Sequence, residues 1–180
     1  MSENLGSSQM LPNLLIVSGS QIDHKFTYTN GQARVLQSAW NCNALNSSFA
    51  VPNTDVWLFL PPNFTLTEDV NLEELIALFL GKQDYKCLYG DFNVCWETDS
   101  GPVVIQQFLP TIDQELVSKD YVIESPFICY GVDQPIFSDE QFPLWSALKL
   151  LSKNTLIYHL KKFITEQTIR QVKWQTPEKT

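Results

Sequence analysis

Two short runs in the first third of the chain are apolar at nearly every position. Residues 14–17 (LLIV) lie between Pro12 and Gly19, and residues 55–60 (DVWLFL) run straight into Pro61 and Pro62. Runs of this length without polar alternation predict strands buried on both faces. Between them, residues 31–45 place Ala33, Leu36, Ala39, Trp40 and Leu45 near helical spacing behind Asn30 as a cap, which predicts a helix. A further helix is predicted after a cap at Thr65 or Thr67. Glu68, Asp69, Glu73 and Glu74 occupy its first turns, Leu72, Leu75, Ile76 and Phe79 form one face, and Gly81 ends it.

Residues 86–96 and 102–109 are β-rich and flank a turn at 97–101, the pattern of a hairpin. A short helix is predicted over 116–121 and an extended segment over 123–131. A helix over 141–151 carries Trp145, Leu148 and Leu151 on one face. A strand at 155–160 (TLIYHL) and a terminal helix over 162–172 follow. Strands alternate with helices before the inserted β-hairpin. The predicted fold is therefore α/β, with a mixed, mostly parallel sheet flanked by helices. Residues 1–12 read as a flexible leader, 13–173 as one domain and 174–180 as a frayed tail.

Composition narrows the function classes. A length of 180 residues with 44% apolar content supports one core. Twelve Lys and Arg against twenty acids, a net charge of −8, disfavour a nucleic-acid partner, because phosphate binding depends on an excess of cations. Cys42, Cys87, Cys95 and Cys129 form no C-x-x-C pair and read as free thiols of a reducing compartment. The first residues carry no signal-peptide pattern, and no run approaches the roughly 20 apolar residues of a membrane span, so the expected location is cytoplasmic.

Several motifs in order resemble the family 2 glycosyltransferases of the GT-A fold, of the bacterial polysaccharide type, over residues 14–172. SGSQIDHKFTYTNGQARV (18–35) is similar to the family's S-x-x-D-x-G-Q-A-D-A loop, and WLFLPPN (57–63) to its strand ending W-L-N-x-D-D. YGDFNVCWETDSG (89–101) resembles the strand and hairpin that carry Y-G-D. DEQFPLWSAL (139–148) is similar to the helix E-D-Y-D-L-W-L-R, and TLIYHL to the strand I-Y-H-I-P. The resemblance implies sugar transfer from a nucleotide-sugar donor. It further implies an amino-terminal side shorter than in relatives that open with another strand, helix and strand.

The departures bear on chemistry. In the family, carboxylates at the end of the second of these strands hold a divalent cation, Mn or Mg, that neutralises the leaving diphosphate. Pro61 and Pro62 have no side-chain oxygen and Asn63 is neutral, so no metal is expected unless the chain is active. Aligning on Leu144-Trp145 puts Gln141 where the family has its general base, and Gln cannot take a proton. Asp139 and Glu140 are the neighbouring carboxylates able to replace it. Gly31, Gln32 and Arg34, at the predicted helix start, suit a diphosphate through backbone N–H groups and a guanidinium, against a bland reading of Arg34 as a solvated charge. Asn63 and Asp91 complete the residues assigned to a nucleotide. With ligands and base replaced, the expected function is either a reduced glycosyltransferase or a non-catalytic relative that binds a glycan or a protein partner.

A rival reading starts from GDFN (90–93), which resembles a strand-end signature of endonuclease/exonuclease/phosphatase enzymes. Their closing S-D-H is here Ser138-Asp139-Glu140, without the histidine. His24 and His159 are too few for a metal or triad, and His159 in an apolar strand reads as a satisfied core residue. Trp40, Trp57 and Trp145 fall on apolar faces, leaving Trp96 and Trp174 as the exposed aromatic candidates for sugar stacking.

Overall fold

The computed structural model describes residues 10–22 and 26–170. In chain order these form β1 (Leu14–Ser18), β2 (Ala33–Gln37), α1 (Cys42–Ser47), β3 (Val56–Leu60), β4 (Phe64–Leu66), α2 (Leu72–Leu80), β5 (Tyr85–Thr98), β6 (Gly101–Gln107), α3 (Gln114–Val117), β7 (Phe127–Tyr130), α4 (Pro143–Asn154) and β8 (Leu156–Arg170). The strands make one sheet in the order β2-β1-β3-β7-β5-β8-β4, with β6 pairing β5 off this path. Pairings β1–β2, β1–β3 and β5–β8 are parallel; β3–β7, β5–β7, β5–β6 and β4–β8 are antiparallel. The fold is thus α/β with a mixed sheet. Reversed strands outnumber the expectation of a mostly parallel one, because β7 runs back between β3 and β5 and β6 returns along β5.

Helices cover both faces. Leu15, Val17, Trp57, Phe59, Cys87, Tyr89, Phe127 and Cys129 pack with α1 and α4, through Leu45, Leu144, Trp145 and Leu148. The alternate residues, Leu14, Ile16, Val56, Leu58, Leu88 and Ile128, pack with Leu72, Leu75, Ile76 and Phe79 of α2. This two-sided burial is why β1 and β3 read as continuous apolar runs.

Three expected elements differ. The helix over 31–45 is instead strand β2 followed by the six-residue α1, capped by Asn41 rather than Asn30. Arg34-Val35-Leu36 pair with Leu15-Ile16-Val17, and that ladder overrides a helical spacing that rested on few residues. The terminal helix over 162–172 is a continuation of β8, with Ile164, Thr165, Thr168 and Ile169 as β-branched strand formers; residues 171 and 172 lie outside the described range. Helix α2 starts later than expected, capped by Asn71, whose side chain accepts from Glu73 and Glu74 N–H; the stretch holding Thr65 forms β4. Of the expected leader, residues 10–12 are described, and Leu11 N–H donates to the Asn30 carbonyl at 2.7 Å. His24, Trp174 and the tail 174–180 lie outside the described residues.

Candidate functional site

The chain leaves β1 for β2 on one side and later returns to β3 on the other, making a topological switch point. Ligands of open α/β sheets generally bind outside the carboxyl ends of strands at such a point. Here those ends carry Ser18-Gly19-Ser20 and Leu60-Pro61-Pro62-Asn63. Gly19 N–H donates to Leu60 O at 2.9 Å, and Asn63 N–H donates to Ser20 Oγ at 2.9 Å. Phe64 N–H closes a turn onto Pro61 O at 3.1 Å, with Asn63 in the left-handed region at φ 67. Pro at the first corner and a left-handed Asn at the second is turn chemistry, and it accounts for Pro62-Asn63 without a ligand. The Pro62 ring sits on Gly19: a Cβ at Gly19 would lie 2.6 Å from Pro62 Cδ. Gly19→Ala is accordingly expected to cost about 1–3 kcal/mol in urea unfolding, since a proline ring cannot swing aside. A variant as stable as the parent would refute this packing.

The other predicted residues are engaged structurally. Arg34 lies in strand β2, with Gly31 and Gln32 just before it, so they present no helix N-terminus. They lie at the amino end of the sheet, with Ala33 beside Leu14, opposite the Asn63 turn. The Arg34 Nη2 donates at 2.8 Å to Pro52 O, Asn53 O and Thr54 Oγ1, tying β2 to the loop before β3. Asp91 is buried at the β5–β8 bulge; its Oδ1 accepts from Leu109 N–H (2.9 Å) and meets His159 Nε2 at 2.8 Å. Tyr89 stacks on His159, with centroids 4.7 Å apart and planes within 4°. GDFN thus turns its Asp inward.

Asp139 Oδ1 accepts from Gln141 and Phe142 N–H at 2.9 and 3.2 Å, and the Glu140 carboxylate accepts from Cys42 N–H at the start of α1. These two carboxylates do share a cleft of about 680 Å³ with Ser146, Lys149 and Lys153. A wider cleft of about 1170 Å³ opens near β4 and α2, lined by Thr65, Asn71, Asn93, Lys162 and Glu166 among others. Asn93 Oδ1 is buried there with no hydrogen-bond partner among the described residues. None of the seven residues predicted from sequence lines it.

Glu124 was not anticipated. It accepts from Trp145 N–H at 2.7 Å and Leu144 N–H at 3.4 Å, in the first turn of α4. Burial pushes its carboxyl up to about 7, Asp139 adding to the rise while the two N–H bonds oppose it. The available signal was the helix start itself. Phe142-Pro143 offers no capping side chain, so an acceptor had to arrive from elsewhere in the chain.

Three of the four thiols are disfavoured as thiolates. Burial raises Cys87 and Cys129, and burial with the Glu140 carboxylate raises Cys42. The four cysteines are free, with Cys95 only partly buried. Nor do the residues present fit a divalent cation at the end of β3. Pro61 and Pro62 lack donors, Asp91 is turned into the core, and among the described residues no three His, Cys, Asp or Glu side chains come together to hold a metal. No helix among the described residues is long and apolar enough to cross a membrane. No protein-family model and no curated protein matches the chain.

Proposed function

We propose that the chain is a glycosyltransferase-like protein of the GT-A kind that binds rather than transfers. The ligand class is a neutral glycan, with a protein partner as the other occupant of such a scaffold. The observation that carries this reading is the seating of Pro62 on Gly19, between the carboxyl ends of β1 and β3. A nucleotide-sugar transferase needs that crevice open and acidic, and here a proline fills it. Support also comes from Asp139 and Glu140, the two carboxylates nearest the position of the base, whose oxygens accept backbone N–H groups at the starts of α4 and α1. The wide cleft suits an uncharged polyol: Thr27, Thr65 and Asn93 provide hydroxyl and amide groups, and the acids Glu68, Asp69 and Glu166 repel a diphosphate.

The order of parts supports the resemblance. β3 ends at Leu60 just before Pro61, α2 follows, β5 carries Tyr89-Gly90-Asp91, and α4 precedes β8. The test is a thermal-shift titration with UDP and manganese. No change in melting temperature is expected, and a metal-dependent rise would restore the transferase reading.

A further inference from the structure

The strand β6 is an edge that its own chain leaves open. It pairs only with β5, from Phe92↔Gln107 to Thr98↔Gly101, so its outer row of backbone N–H and C=O groups has no strand beside it among the described residues. Proteins usually blunt such an edge with charged side chains, bulges or a covering segment. Residues 101–109 (GPVVIQQFL) contain no charged residue, in a chain of net charge −8. Apolar side chains are exposed on both faces. Val103, Val104 and Ile105 are 49%, 54% and 52% exposed, and Phe108 just beyond the strand is 64% exposed. Trp96 on β5, directly across from Val103, is also exposed and extends the patch toward Ile169 of β8.

We propose that β6 is a self-association edge, on which a second copy of this chain docks by antiparallel β6–β6 pairing. Charge selects this occupant. A basic or acidic partner would find nothing to pair with along 101–109, whereas a second β6 offers a strand of the same apolar, uncharged kind. A two-fold axis near Val104 would set Val103 beside Ile105 of the other copy. The same axis sets Gly101 beside Gln107 of the other copy, so the turn acid Asp99 comes near uncharged residues, and Glu97 lies on β5, one strand removed. Area sets the strength. Five side chains about half exposed put roughly 400 Å² of apolar surface on the patch, against the roughly 800 Å² per partner of a standard interface. With backbone pairing added, the association is expected to be micromolar and reversible.

Sedimentation velocity of the full chain from about 1 to 200 µM tests the proposal. A concentration-dependent monomer–dimer equilibrium is expected, weakened at least tenfold in Ile105→Lys and in Val103→Lys. Both positions face solvent, so both variants should keep the parent's circular dichroism and melting temperature. Val35→Lys, on the opposite edge strand β2, should leave the dimer intact. A chain monomeric throughout overturns the proposal, as does a dimer indifferent to the β6 variants or one broken by Val35→Lys. A chain that dimerises only after residues 171–180 are removed also overturns it, by assigning the edge to the chain's own terminus.

Discussion

Asp91→Ala is expected to cost about 3–5 kcal/mol in urea unfolding, the usual loss when one partner is taken from a buried pair. The side chains of His159 and Asp91 are 7% and 5% exposed. His159 Nε2 and Asp91 Oδ1, 2.8 Å apart, share one hydrogen bond. Removing the carboxylate leaves His159 Nε2 and the amide of Leu109 without that partner in a part-buried setting. The damage spreads because the neighbouring bonds join separate segments. The Tyr89 hydroxyl donates to Pro110 O at 2.6 Å and accepts from Ile112 N–H at 2.9 Å, so β5, β8 and the 109–112 return close on one cluster. Asp91→Asn keeps an acceptor and should lose about half as much. Asp91→Ala and His159→Ala should be non-additive by about 1–3 kcal/mol, as expected for residues in contact. Additive losses would show that the pair does not act as a unit. A chain that cleaves phosphodiesters with magnesium and loses that activity in Asp91→Ala would instead restore the nuclease reading.

Stability is expected to fall as pH rises from about 4.5 to about 7, and Glu124 is the group responsible. Its carboxyl has a reference value of 4.5 and is held up to about 7 in the folded chain. Between those values the native state binds a proton that the unfolded state does not. The contribution is therefore complete below 4.5 and lost by the time pH passes 7, a change of roughly 2–3 kcal/mol. Urea midpoints at pH 5, 6, 7 and 8 measure it. Glu124→Gln should remove the slope while retaining an oxygen for the Trp145 and Leu144 amides, leaving the variant at least as stable as the parent at pH 8. An unchanged slope in that variant would sink the assignment. Glu73 acts in the opposite direction and in another window. Hydrogen bonds from Thr29 and Asn30 lower its carboxyl, so its contribution is present above 4.5 and fades as pH falls below.

Legibility followed burial. β3 is apolar at every strand position, and β1 at all but its last, Ser18, because helices cover both faces of the sheet, and that need is written in consecutive residues. α2 was readable from its single apolar face and its terminal Gly81, and the β5–β6 hairpin from two β-rich runs around a polar turn. β2 and the far half of β8 were not. Their mixed patterns fit a helix as well as a strand until β1 and β5 are set beside them. The residues assigned to a nucleotide met the same obstacle. Arg34 as an isolated letter suits a phosphate; beside 52–54 it is spent on a hydroxyl and two carbonyls.

The amino-acid sequence alone determined an α/β chain, where its most buried strands lie, and that the end of β3 has no carboxylate to offer. Those properties rest on residue type and short-range spacing, which the sequence contains in full. The tertiary structure decided what each polar side chain does. Asp91 meets His159 across 68 residues, Glu140 meets the amide of Cys42 across 98, and Glu124 meets Trp145 across 21. The physical reason is that a buried polar group must find its partner in space. Which partner that is depends on how the sheet brings distant segments together.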